Sequence, residues 1–242
     1  MKEKITNPGK DPLGTMMLDY LSGDHKAFVT VESDTMDMWK MTGKTMFRTF
    51  GAMNRIERKA LSLCRGKILD IGAGSGCHTL YLQNKNKQVH ALDLSCGSIE
   101  VMKKRNVVHP IYDHLFSLKN KRYDTLLMLM NGIGIVGSLD GLNLFFQFIK
   151  TILNTNGQIL VDSTDLAALY DPKILASANQ EYYGQTRFTM TYKKIISDPF
   201  DWLYIDFHTL IFHAGLHGFE CEKIMADKTG KYLARITLKN PR

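Results

Sequence analysis

From residue 67 to residue 163, short apolar runs alternate with longer stretches in which apolar positions recur at helical spacing. The runs at 67–71, 88–93, 107–113, 124–130 and 158–163 predict strands, and the stretches between them predict helices. Parallel strands must be joined by a crossover long enough to hold a helix, so this alternation predicts βαβ units on a mostly parallel sheet. Ahead of the last run, Leu142, Phe145, Phe146, Ile149, Ile152 and Leu153 share one helical face, while Asn143, Gln147 and Lys150 share the other. That aromatic stripe is core. Ser95 is an N-cap for a helix ending in Lys103, Lys104 and Arg105, whose charges suit the negative end of its dipole, with Asn106 as its stop. Pro110 has no N–H for a ladder, which predicts that its strand lies at a sheet edge.

The flanks read differently. Residues 13–65 predict a mostly helical cap, whose last helix opens at Asn54 with Glu57 three residues on, as in a capping box, and stops at Gly66. Beyond the repeat, 186–195 and 201–206 predict a β-hairpin turning through Ser197, Asp198 and Pro199. A helix is expected over 207–216, then strands over 219–225 and 231–238 around Lys228, Thr229 and Gly230. That last join is too tight for a helical crossover, so one of the two strands must run antiparallel.

The chain has 242 residues, 44% apolar and 23% charged, which suits one globular core. The expectation is a single domain over 1–242, with a cap at 1–65, a ligand-binding half at 66–165, and a hairpin insertion and sheet completion at 166–242. Residues 1–12 lack the apolar core of an export signal, and the apolar stretch 126–139 is too short to span a bilayer. Cys64, Cys77, Cys96 and Cys221 form no zinc-type spacing, so no metal is expected and a cytoplasmic location with reduced thiols is. The net charge of +7 raises the question of nucleic acid. Its clusters, Lys85 and Lys87, Lys103 to Arg105, and Lys119, Lys121 and Arg122, fall before strands or at a helix end. In a parallel sheet that is the face opposite the ligand crevice.

The candidate chemistry lies where the first run enters the sequence Asp70-Ile-Gly-Ala-Gly-Ser-Gly76. Glycines there permit a sharp turn and a close approach of ligand to backbone. A dinucleotide fingerprint starting at Gly72 would require glycine at position 77, which is Cys77. The carboxylate of Asp70 beside the turn suits an ammonium or sulfonium better than a pyrophosphate. Asp93 ends the second run, where a carboxylate can accept both hydroxyls of a ribose.

In these residues the chain resembles the class I S-adenosylmethionine-dependent methyltransferases, most specifically over 67–163. Asp70, Gly72, Gly74 and Gly76 match the family's first motif and Asp93 its ribose acid. The resemblance implies S-adenosylmethionine as cofactor and a Rossmann-like three-layer α/β sandwich, with a mostly parallel seven-stranded sheet in the order 3-2-1-4-5-7-6 and strand 7 antiparallel. It implies cofactor contacts at Asp70, Gly72, Ala73, Gly74, Gly76, Asp93 and Leu94, and at Asp113, the acid after the third strand, toward adenine; a solvated turn residue is the other reading of Asp113. Asn131 after the fourth strand would face the methionine end or the acceptor, or only shape an Asn-Gly turn. Arg48 is a candidate partner for the cofactor carboxylate, with an exposed arginine of no such role as the alternative.

Methyl transfer from a sulfonium is an in-line displacement, so orientation and exclusion of water supply most of the catalysis and no triad is required. The eight histidines are scattered, and no catalytic residue is assigned. Tyr20, Trp39, Tyr183 and Trp202 are candidate walls of an acceptor pocket. The fourth strand runs into Met-Asn-Gly-Ile and lacks the Asn/Asp-Pro-Pro-Tyr/Phe motif of many amino-directed nucleic-acid and glutamine methyltransferases. A small-molecule acceptor is therefore expected, with RNA or protein as the first rival and a nicotinamide-dependent oxidoreductase as the second. Asp93→Ala is expected to abolish cofactor binding and leave the fold intact.

Overall fold

The computed structural model describes residues 7–169 and 182–239. The expectations for 1–12, 1–65 and 166–242 therefore fall partly outside the described residues. In chain order the first elements are α1 (Pro12–Leu21), β1 (Phe28–Ser33), β2 (Trp39–Thr42), α2 (Gly43–Met46) and α3 (Arg55–Leu63). The repeat follows as β3 (Ile68–Ile71), α4 (Cys77–Asn84), β4 (Val89–Asp93), α5 (Cys96–Lys104), β5 (Pro110–Tyr112), β6 (Tyr123–Met128), α6 (Leu139–Ile149) and β7 (Leu153–Thr164). The remainder is β8 (Gln185–Tyr192), β9 (Ile195–Ile196), β10 (Phe200–Leu203), α7 (Phe207–Leu216), β11 (Phe219–Ala226) and β12 (Lys231–Leu238). No described helix is long and apolar enough to cross a membrane.

The larger sheet has seven strands in the order β11-β12-β7-β6-β3-β4-β5. β4 and β5, and β6 and β7, pair in parallel, whereas β12 runs antiparallel to both β7 and β11. The expected order and the expected antiparallel strand are both present, and Pro110 opens the edge strand β5, where its missing N–H deprives no neighbour.

Two compact units divide the chain. The first comprises Met1–Met53, Leu69–Lys119 and Arg187–Phe200. Within it, α5 begins at Ser95, whose side chain accepts from the Ser98 amide, and stops where Asn106 takes a φ of 62°. α1 crosses α5 closely: a Cβ on Gly97 would lie 2.6 Å from the Cα of Gly14. Asp11, 4% exposed, fixes this crossing, accepting from the amides of Gly14 (2.9 Å) and Gly97 (3.1 Å) and from the Ser95 hydroxyl (2.6 Å).

The amino-terminal cap is not mostly helical, which corrects that expectation. Phe28 to Glu32 alternate on a two-residue period, Val29 and Val31 fully buried, and β1 pairs antiparallel with β2 and β8 in a second sheet. β-Branched residues on that period favour strand over helix. The hairpin also turns earlier than predicted. Ile195 and Ile196 already pair back onto Tyr192 and Thr191, and the turn is Lys193-Lys194, with Lys193 at φ 55°. Ser197 continues the pairing, its N–H donating to the Met190 carbonyl at 2.9 Å. Lysine carries no turn signature, so this position was silent in the sequence.

The second unit comprises Asn54–Ile68, Asn120–Thr186 and Asp201–Arg242. α3 carries the full capping box of Asn54 and Glu57. On α6 the predicted stripe is core: Leu142, Phe145, Phe146 and Ile149 are fully buried, and burial of such a side chain stabilises by roughly 1.5–3 kcal/mol.

Candidate functional site

β3 is buried along its whole length, which suits a central strand, and it opens into a turn whose three glycines all have left-handed backbone: Gly72 at φ 73°, Gly74 at 56° and Gly76 at 78°. The amides of Gly72 and Ala73 both donate to the Leu92 carbonyl, at 2.9 and 3.1 Å, which ties the turn to β4. Two of the glycines differ in what surrounds them. A Cβ on Gly76 would stand 2.9 Å from Val107 Cγ2, so that glycine answers to packing. A Cβ on Gly72 would meet nothing within 4 Å, so its Cα borders open space that a ligand can enter.

Asp93 ends β4 beside this turn. Its Oδ2 accepts from the Gly74 amide at 2.7 Å and its Oδ1 from the Ser95 amide at 2.8 Å. Burial pushes its carboxyl up to about 6, against the pull of the Ser95 and Gly74 amides, and the nearby Asp11 carboxylate adds to the rise. These amide bonds correct one expectation: Asp93→Ala would leave two backbone N–H groups without their acceptor, so the fold would not be untouched. Leu94 follows, half-buried. Asp113 lies one residue beyond Tyr112, the parallel partner of Asp93, and is half-buried with its Oδ1 accepting from the His114 amide at 2.8 Å.

Asp70 is 2% exposed and accepts from the Thr79 hydroxyl at 2.6 Å. Burial raises its carboxyl above the usual range, and His78, the Thr79 bonds and Arg48 oppose that rise. Arg48 is half-buried, its Nη2 3.2 Å from His78 Nε2 and its Nη1 donating to the Thr45 carbonyl at 2.5 Å. The segment before it is held on the glycine turn. The Ser75 hydroxyl donates to the Met46 carbonyl, and Arg105 donates to the Ser75 carbonyl at 2.6 Å with its guanidinium 4.8 Å from the Phe47 ring. Asp11, Ser75, His78 and Arg105 were not singled out as site residues from the sequence. For His78 the available signal was its place as the second residue of the helix opened by Gly76.

Asn131 belongs to the second unit. Both it and Met130 have left-handed backbone, at φ 56° and 67°. The Asn131 amide donates to Asp162 Oδ1 at 2.7 Å, and the Thr164 hydroxyl donates to Asn131 Oδ1 at 2.8 Å. Asp162 is fully buried, with Lys231 Nζ 2.9 Å from its other oxygen. The four aromatic candidates are occupied in packing or bonding. Tyr20 stacks on Phe47, Trp39 meets Phe188 edge-on, Tyr183 donates to Asp165 at 2.7 Å, and Trp202 covers Gly134 so closely that a Cβ there would lie 2.0 Å from its Nε1. Among the described residues no group of His, Cys, Asp or Glu is arranged to hold a metal.

Comparison with known proteins agrees with this geometry. The profile of a methyltransferase domain matches residues 69–161. The crystal structure of an S-adenosylmethionine-dependent methyltransferase from Bacteroides fragilis, in complex with S-adenosyl-L-homocysteine, shares 42% identity over 98% of each chain, with a TM-score of 0.91. More distant structures share the fold. The CcbJ methyltransferase from Streptomyces caelestis is 14% identical over 76% of this chain and 90% of its own, with a TM-score of 0.58. The sugar N-methyltransferase KedS8 from Streptoalloteichus is 12% identical over 86% and 97%, with a TM-score of 0.55. No curated protein matches the chain.

The chain belongs to the S-adenosylmethionine-dependent methyltransferases, with the Rossmann-like fold of that family and S-adenosylmethionine as its cofactor. The residues present fit that cofactor, because open space borders Gly72 and a carboxylate ends the neighbouring strand.

Proposed function

We propose that this methyltransferase acts on a small-molecule acceptor, with the glycine turn, Asp93, Leu94, Asp113 and Arg48 as its cofactor-binding residues. The observation that carries the acceptor class is where the positive charge falls. Lys85 caps the end of α4, Lys103 and Lys104 end α5, and Lys119, Lys121 and Arg122 precede β6, all at strand amino ends, whereas Arg105, expected there with Lys103 and Lys104, instead reaches the glycine turn and bonds Ser75. In open α/β sheets ligands bind outside the strand carboxyl ends. A polyanion would need basic side chains there.

When bound, S-adenosylmethionine would supply a methyl group from its sulfonium, passed in line to an acceptor lone pair as the carbon–sulfur bond breaks and S-adenosylhomocysteine leaves. This chain's residues then bind and orient. Gly72 admits the ligand to the backbone, the Asp93 carboxylate accepts from ribose hydroxyls while remaining fixed by the Gly74 and Ser95 amides, and Asp113 meets the adenine amine. Arg48 pairs with the carboxylate at the methionine end.

The test is transfer of a labelled methyl group from S-adenosylmethionine into a cell extract separated into small molecules, RNA and protein. Label in the small-molecule fraction is expected. Label confined to RNA or protein overturns the acceptor class and supports the rival reading, for which the net charge of +7 is the argument.

A further inference from the structure

His78 has no place in the cofactor contacts above, yet it touches the one cation among them. It is 5% exposed, sits on the first turn of α4, and brings Nε2 to 3.2 Å from Arg48 Nη2. A guanidinium has five N–H donors and no acceptor, so this contact makes Nε2 the accepting nitrogen and leaves the imidazole proton on Nδ1.

The rest of the neighbourhood fixes Arg48 from behind. Ser75 holds the Met46 carbonyl, Arg105 binds Ser75 and covers Phe47, and the Arg48 Nη1 is bonded to the Thr45 carbonyl. The backbone and one arm of the fork are therefore set by the turn and by α2, and His78 takes the other arm. Asp70 offsets the burial of positive charge electrostatically, its Oδ2 taking the Thr79 hydroxyl. A planar fork recognises a carboxylate by direction as well as by charge, so its orientation governs how well it discriminates.

We propose that His78 is a positioning residue: by accepting from Arg48 it fixes the orientation in which the guanidinium recognises the carboxylate of the cofactor's methionine end. This rests on the reading of Arg48 given above, and the experiment separates the two. The readout is the ratio of affinities, by calorimetry, for S-adenosylhomocysteine and for its decarboxylated analogue, which keeps the amine and lacks the carboxylate. Arg48→Met should weaken the first by about 10- to 100-fold, the range of a charge-assisted hydrogen bond, and leave the second unchanged. His78→Asn removes the acceptor at the Nε2 position and should lower the ratio about tenfold, whereas His78→Gln, whose Oε1 reaches that position, should restore it. His78→Leu also lacks the acceptor and replaces the Asn variant if that protein does not fold. An unchanged ratio in Arg48→Met overturns the role of Arg48. A fall in Arg48→Met with no fall in His78→Asn, or an equal loss of both ligands there, overturns the positioning role of His78.

Discussion

After β3 the chain turns through left-handed backbone at Gly72, Gly74 and Gly76; after β6 it does so at Met130 and Asn131. In the first region glycine makes the conformation nearly free, and the turn is tied down by the Gly72 and Ala73 amides on the Leu92 carbonyl and the Gly74 amide on Asp93. In the second, a non-glycine pair adopts φ values that carry strain of order 1–3 kcal/mol each, and a fully buried carboxylate takes the amides of Asn131 and Gly132 at 2.7 and 3.4 Å. The other oxygen of that carboxylate, Asp162 Oδ2, accepts no hydrogen bond and is balanced by the Lys231 ammonium 2.9 Å away. The comparison separates two ways of placing backbone at a strand end: choose a residue without a Cβ, or hold an unsuitable residue with tertiary bonds. The first is local and cheap; the second transmits any change in β7 or β12 to the turn.

The largest test of this contrast is Asp162→Ala. It strands Lys231 and two amides, and we expect a loss of about 3–5 kcal/mol in chemical denaturation, with Lys231→Met alone losing a comparable amount by baring the carboxylate. If both variants unfold like the parent protein, the second turn does not depend on the ion pair.

Next come the glycines, where stability and binding should part. Gly72→Ala adds a Cβ into open space, so only the left-handed penalty of about 1–2 kcal/mol falls on the fold, while affinity for S-adenosylhomocysteine should drop at least about a hundredfold. Gly76→Ala meets Val107 as well and should destabilise more. The reverse order of stability would mean that packing is not what distinguishes the two positions.

The third test uses acid. The Asp93 carboxyl lies at about 6, above its ordinary 3.8, so the folded protein holds this proton more tightly than the unfolded chain. Its contribution to stability is therefore greatest at low pH and declines as the pH rises from about 4 through 6. Ribose hydroxyls donate to the ionised form, so ligand binding has the opposite slope. Affinity for S-adenosylhomocysteine should be constant above about pH 7 and fall toward tenfold per unit below 6. A titration flat from pH 8 to 5 would remove Asp93 from the ribose.

The smallest effect is expected at Met130→Gly. Relief of the left-handed strain, set against lost packing of a half-buried side chain, should leave stability within about 1 kcal/mol of the parent. A loss of several kcal/mol would show that Met130 is held by its side chain and not by its backbone.

Much of this architecture was legible in the sequence where the deciding forces are local. The strand-helix alternation, the Asn54-Glu57 capping box, the Ser95 cap, Pro110 at the edge and the core stripe of α6 all stand as predicted. The strands of the cap were missed because Phe28 to Glu32 form a short alternating run amid helical signals, and its partner β8 lies more than a hundred residues away. The turn at Lys193 escaped because nothing in two lysines asks for left-handed backbone.

The sequence by itself determined the repeat, the glycine turn and the acid at the end of β4, since backbone freedom, helix capping and hydrophobic period are properties of residues and their near neighbours. Only the tertiary structure decided that His78 meets Arg48, that Asp11 closes on Ser95, and that Asp162 and Lys231 hold Asn131. Those bonds join residues 30 to 84 positions apart, and their strength comes from burial, which no single stretch of chain can supply.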